Sequence, residues 1–176
     1  RIEIISSCNP ILSPNNHFYP FYYTLEGALL ASNDKIIAPQ GRIAPLLFDK
    51  ETGKSLGSLQ GGGGCFVLLT PESEILHGPG NKTGWVQSSK ESDQTKIATY
   101  QGGKAMIVRG GQGFLMKDEG IDAFDRVAKA QLWSEPMDAA FTMILAGNQL
   151  WIGERDQITC LNATTGRRLK QFPVTG

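Results

Sequence analysis

No charge of one sign dominates this chain of 176 residues: lysine plus arginine number 17, aspartate plus glutamate number 17, and the formal net charge is zero. A protein whose main partner is nucleic acid needs clustered positive charge to neutralise phosphates, so the balance argues against that class. Histidine is scarce. His17 and His77 show no H-x-x-x-H or H-E-x-x-H spacing, and carboxylates gather round neither, so no metal site is expected. Cys8, Cys65 and Cys160 are far apart, with no C-x-x-C and no following histidine that could attach haem. They read as small apolar side chains, while one disulfide with a thiol left over stays open for an extracytoplasmic protein. No apolar run approaches the roughly 18 residues needed to cross a bilayer. The opening from Arg1 lacks an apolar signal segment, and a start without Met leads us to expect a processed chain or a piece of a longer one. There is no G-x-S-x-G and no evident nucleophile–base pair. Helical periodicity is missing too: no window sustains the 3.6-residue period, because glycine or proline interrupts it about every 10–15 residues.

What the chain does have is 21 glycines and nine prolines, spread along its length, as many short strands and turns require. The stretch Leu47-Phe48-Asp49-Lys50-Glu51-Thr52-Gly53-Lys54 returns as Cys160-Leu161-Asn162-Ala163-Thr164-Thr165-Gly166-Arg167, with Gly53 and Gly166 113 residues apart (166 − 53). A third copy, Ala123-Phe124-Asp125, lies 76 residues after the first (125 − 49), two-thirds of that distance. The implied period of about 38 residues is that of stacked supersecondary units. In each copy Asp or Asn can accept backbone N–H groups just ahead, and in the first and last Gly53 and Gly166 can take the left-handed conformation of a hairpin with a bulge.

Four units follow, at 27–60, 61–101, 102–138 and 139–176, after a distinct segment at 1–26 that carries a strand-like Ile2–Ile5 and the aromatics Phe18, Tyr19, Phe21, Tyr22 and Tyr23. Their opening strands begin near residues 28, 65, 105 and 142. Each unit has four short strands, the first expected to be the most apolar and buried between neighbours, the last facing water. The predicted fold is therefore all-β: propeller blades of four antiparallel strands, about four in number. A β-sandwich is the rival, disfavoured by the fixed period.

The pattern Ala-x-Asp-x-x-Thr-Gly-x-x-x-Trp resembles the blade signature of the quinoprotein, or pyrroloquinoline-quinone-like, β-propeller repeat family. Asp49, Thr52 and Gly53 carry it in unit one, with Gly57 at the tryptophan position; Ala123, Asp125 and Trp133 carry it in unit three, with Ala128 and Lys129 replacing Thr-Gly; Asn162, Thr165 and Gly166 carry it in unit four, with Lys170 replacing Trp. Unit two does not align. The resemblance spans residues 27–172 and implies that the tryptophan packs between adjacent blades. Such propellers close with seven or eight blades, so four imply a segment of a larger seven- or eight-bladed propeller, with the remaining blades on missing sequence; the alternatives are a pairing of two copies and a closed four-bladed ring fastened by Ile2–Ile5. The resemblance also implies an exported protein, periplasmic or secreted.

Other motifs carry little chemistry. Gly61–Gly64 and Gly78-Pro79-Gly80-Asn81-Lys82-Thr83 lack the Lys-Ser/Thr and following helix of a phosphate cradle. The first is expected to be a flexible connection between units, the second a loop. Asn81 and Asn162 match glycosylation acceptors, a pattern common by chance. Loops joining second to third strands should share one face with the connections between units, displaying Arg42, His77, Lys82, Glu119, Glu154 and Arg155, a mixed-charge rim suited to a peptide, glycan or partner protein and equally to bulk water. Trp85, Trp133 and Trp151 read as packing residues. The expected function is a non-catalytic scaffold or interaction module with no cofactor, whose partner is a protein or peptide, further blades, or a second copy through self-association. The alternative that the resemblance implies is a fragment of a quinoprotein dehydrogenase, with quinone and calcium held partly on absent blades.

Overall fold

Alternating side chains on short strands, broken by glycine turns, produce four copies of one meander. The computed structural model describes residues 27–41, 43–79 and 84–174, so Arg42, Lys82, His17, Cys8 and the segment 1–26 lie outside the described residues. Blade one comprises β1 (Leu30–Ala31), β2 (Lys35–Ala38), β3 (Leu46–Asp49) and β4 (Ser55–Ser58). Blade two comprises β5 (Phe66–Leu69), β6 (Glu74–Gly78), β7 (Trp85–Lys90) and β8 (Lys96–Gln101). Blade three has β9 (Gly103–Arg109), β10 (Gln112–Lys117), β11 (Gly120–Asp125) and β12 (Ala130–Pro136); blade four has β13 (Thr142–Ala146), β14 (Gln149–Glu154), β15 (Gln157–Asn162) and β16 (Arg168–Pro173). Every sheet pairs its strands in sequence order and antiparallel, so the expected all-β blade architecture is borne out. No helix among the described residues is long and apolar enough to cross a membrane.

The turn between third and fourth strands is the same object four times. Asp49 Oδ1 accepts the Thr52 amide at 2.7 Å and the Thr52 hydroxyl at 2.6 Å, while Gly53 N donates to Asp49 O at 2.9 Å. The Thr52 hydroxyl, more than its amide, holds the Asp49 carboxyl below its ordinary range. Asn162 Oδ1 likewise accepts the amides of Thr164 and Thr165 at 2.9 and 3.0 Å, and Asp125 Oδ1 those of Val127 and Ala128 at 2.9 and 2.8 Å. Blade two, which the sequence leaves unaligned, enters here: Lys90 N bonds Thr95 O, and Gln94 N bonds Lys90 O. The left-handed position is filled by Gly53, Gln94, Lys129 and Gly166, at φ of 69°, 61°, 54° and 73°. Directly before each turn the ladder carries a bulge, at Leu47/Phe48, Ser88/Ser89, Ala123/Phe124 and Cys160/Leu161. Bulge and left-handed residue together turn the outer strand back with a stronger twist.

Blades stack through matched rows. The cross-strand row Leu30–Ile37–Leu47–Gly57 of blade one corresponds to Leu68–Leu76–Ser88–Ala98, Ile107–Phe114–Ala123–Trp133 and Ile144–Trp151–Cys160–Lys170. We call these trailing rows. The opposite, leading rows hold Leu69–Ile75–Ser89, Val108–Gly113–Phe124 and Leu145–Leu150–Leu161 in blades two to four. Three apolar clusters result. One joins Ile37, Leu47 and Leu59 to Ile75; a second joins Leu76 and Val86 to Met106 and Leu115; the largest joins Phe114, Ile121 and Ala123 to Leu150, Ile152 and Leu161.

Burial corrects one expectation. The innermost strands are not the most buried: β13 alternates exposed with half-buried residues and β5 is half-buried throughout, whereas β6 is buried along its whole length. The second and third strands are flanked by neighbouring strands as well as neighbouring blades, so they lose water on every side. The outer strands β4 and β16 are exposed, as expected.

At Gly53 a Cβ would meet nothing within 4 Å, whereas at Gly166 it would lie 2.7 Å from Trp133 Cδ2. Gly53→Ala should therefore cost only the left-handed backbone penalty, about 1 kcal/mol, seen as a melting shift of about 2–4 °C. Gly166→Ala should cost distinctly more and alter tryptophan fluorescence. Equal melting shifts for the two would refute this account of the turns.

Candidate functional site

Each blade junction is pinned by a different polar device. Between blades one and two, Gln87 Nε2 donates to Gln60 O at 2.9 Å and Gln60 N donates to Gln94 Oε1 at 2.9 Å. The glycine run Gly61–Gly64 passes through this junction and is not a loose spacer. A Cβ at Gly61 would sit 2.5 Å from the Gln87 amide oxygen, and one at Gly64 would sit 2.4 Å from the Gly78 backbone. The glycines are there because the connection lies flat on blade two.

Between blades two and three, Glu74 is buried, accepts the Ser88 hydroxyl and pairs with the buried guanidinium of Arg126, which also donates to Gly110 O at 3.0 Å. Burial pulls the Arg126 pKa down, and the nearby Glu72 charge pushes the other way. Tyr100 meets Phe124 edge-on at 5.8 Å beside this pair. Between blades three and four, Trp133 Nε1 donates to Ala163 O at 3.1 Å, while Arg109 reaches Gly147 O at 2.6 Å. Trp133 thus lies across the turn of the next blade, its ring against Gly166.

The six residues expected on the rim divide. Arg42 and Lys82 lie outside the described residues. His77 is on no rim: it is 1 % exposed in β6, and its Nδ1–H donates to the Gly62 carbonyl at 3.0 Å. A carbonyl can only accept, which assigns the proton to Nδ1. His77 Nε2 is buried without a partner. Desolvation, outweighing the carbonyl contact, pulls the imidazole below its ordinary 6.5. Glu154 is buried too, accepting the Thr159 hydroxyl; the same two positions in blade three hold Lys117 and Asp122, paired at 2.9 Å.

Of the remaining three, Glu119 meets the connection from blade three to blade four through its backbone, and Glu154 lines a cleft beside that connection. Met137 N donates to Glu119 O at 3.0 Å, which ties the β10–β11 turn to that connection, and Arg155 is exposed in the β14–β15 turn. Beside them opens a cleft of about 410 Å³ lined by Pro136, Met137, Asp138, Glu154, Gln157 and Arg168. Arg168 is held in place by Glu135 Oε1 at 2.5 Å and Pro136 O at 2.8 Å. Asp138, Gln157 and Arg168 were not singled out from sequence. They come from three separate stretches, and nothing in their local patterns marks them as neighbours.

Metal and cofactor chemistry find little to build on. Among the described residues no group of three or more His, Cys, Asp and Glu side chains is placed to hold an ion. Trp133 is engaged at the blade junction, and Trp151 stacks on Phe172 at 6.0 Å and 18°. Among the described residues, then, no acidic calcium site is assembled, and Trp133 and Trp151 are already engaged in packing contacts.

His77 makes a pH prediction. With its folded pKa depressed, the unfolded chain binds the proton first as pH falls below about 6.5, so stability drops through that range until the folded pKa is reached. His77→Gln should flatten the dependence of the urea midpoint between pH 7.5 and pH 5.5. Identical slopes for both proteins would assign the acid sensitivity elsewhere.

No protein-family model matches the sequence, and no curated protein matches it. Solved structures do. The computationally designed protein Ika8 is 14 % identical with a TM-score of 0.69, over 84 % of this chain and 49 % of that one. BamB from Moraxella catarrhalis is 14 % identical with a TM-score of 0.66, over 82 % of this chain and 47 % of that one. At such identity the likeness concerns the fold alone, and the chain spans about half the length of each of these relatives. Four antiparallel blades, stacked in order and matched to solved propellers, make this chain a β-propeller module.

Proposed function

We propose that the chain is a non-catalytic interaction module, binding a protein or peptide segment in the cleft between blades three and four. The observation that carries this is the composition of the cleft. Pro136 and the largely buried Met137 line it, carboxylates come from Asp138 and Glu154, and Arg168 is fixed in orientation by Glu135 and Pro136 O. A pre-oriented guanidinium loses little freedom on donating to a carboxylate or carbonyl of a bound segment. The absence of a nucleophile–base motif from the sequence also supports binding over turnover. The quinoprotein-like blade signature supports the same scaffold reading, and an extracytoplasmic setting rests on that resemblance alone.

Peptides selected from a random library against the folded chain should bind in this cleft, with backbone amide shifts concentrated at 136–138 and 154–157. Asp138→Lys reverses an exposed charge there and should weaken the selected peptides about tenfold, the size of one lost charged contact. Peptides that bind the variant equally well, with shifts elsewhere, would overturn the assignment.

A further inference from the structure

Blade four carries a carboxylate that its own repeat leaves without a counter-charge. Glu154 and Thr159 stand one repeat after Lys117 and Asp122 (154 − 117 = 37 and 159 − 122 = 37), at the same places on the second and third strands. In blade three the two charges answer each other. Lys117 Nζ meets Asp122 Oδ2 at 2.9 Å, and the Ser134 hydroxyl donates to Asp122 Oδ1 at 2.6 Å. In blade four the anion sits on the second strand instead, and the third strand offers it only a hydroxyl. Glu154 is 8 % exposed, and its Oε1 accepts from Thr159. Among the described residues no cation pairs with it: Arg155, next in the chain, is exposed, and Arg168 is taken by Glu135 at 2.5 Å.

Glu154 nevertheless lines the cleft, together with the exposed Asp138. Because Glu135 neutralises Arg168, those two carboxylates set the sign of the cleft. A carboxylate held nearly out of water by one neutral donor is a costly group in the free protein. A cation brought to it forms a charge-assisted bond, and the anion has already lost most of its water in folding. A metal ion is poorly served, since no three His, Cys, Asp or Glu side chains gather to hold one among the described residues. We propose that the segment bound here is basic, presenting a lysine or arginine whose cation pairs with Glu154 and Asp138, which rests on the cleft being the binding site. An acidic segment would set its charges against both carboxylates, and an uncharged one would leave Glu154 unpaired.

The test uses random peptides, acetylated to remove the competing α-amine, selected on the folded full chain and located by backbone amide shifts. Cleft binders, those that shift 136–138 and 154–157, should carry lysine or arginine at one common position. Replacing that residue by norleucine, which keeps an apolar stem without the charge, should weaken binding to the wild-type chain at least about tenfold. Glu154→Gln retains a side-chain oxygen for Thr159, so it should keep the wild-type circular dichroism. It should weaken the parent peptide by a similar factor and be nearly indifferent to the norleucine exchange. Asp138→Asn, at an exposed position, serves for the same comparison if Glu154→Gln does not fold. Glu51→Gln removes an exposed carboxylate in the blade-one turn and, as the control for overall charge, should change nothing. Cleft binders without a common basic residue, or a norleucine loss as large on the variant as on the wild type, overturn the basic partner and leave the cleft as a binding site. Peptides that bind only elsewhere, or no binders at all, overturn both.

Discussion

A four-stranded blade cannot satisfy its second and third strands alone. In β10, Phe114 and Leu115 point to opposite faces and both are essentially without solvent contact; in β6 the same holds for Ile75 and Leu76. A strand apolar on both faces needs a sheet on either side, and that requirement orders everything else in the molecule. It makes the repeat necessary, since every blade is completed only by its neighbours. Burying a leucine or phenylalanine side chain stabilises by about 1.5–3 kcal/mol. Three clusters of such residues outweigh any single polar contact at the junctions.

The junctions are nevertheless not interchangeable. Where blade three has Trp133 lying across the next turn, blade one has Gly57 and blade two Ala98, and their junctions are closed by Gln60 with Gln87 and Gln94, and by Glu74 with Arg126. The buried ion pair is costly to desolvate and stabilises only with its partners in place, which ties blade two to blade three in one register. The repeat thus tolerates the loss of its tryptophan because the apolar rows carry the docking and each junction supplies its own alignment.

The candidate cleft shows how local writing and tertiary placement diverge. Glu154 and His77 belong to the face that the loop argument selects, but they end strands whose side chains turn into the junction, so both are buried. Glu154 is the last residue of β14, and one residue along, in the turn, Arg155 is exposed. Arg168 and Asp138 reach the cleft from an outer strand and a connection 30 residues apart (168 − 138), a proximity created by the stacking of blades.

The sequence by itself determined the four-stranded repeat and the turns at Asp49–Gly53 and Asn162–Gly166, because those turns are closed by side chains that only a few residue types provide. It hid the blade-two turn, since there the backbone does the same work with Lys90 in place of Asp, Asp93 taking the threonine's bond to the amide of residue 95 at 2.9 Å, and Gln94 in the left-handed position. Only the tertiary structure decided that Gly61–Gly64 is packed tight and that His77 is buried in β6. Those outcomes depend on which surface faces which, and a close approach between distant stretches leaves no periodic trace in the chain that makes it.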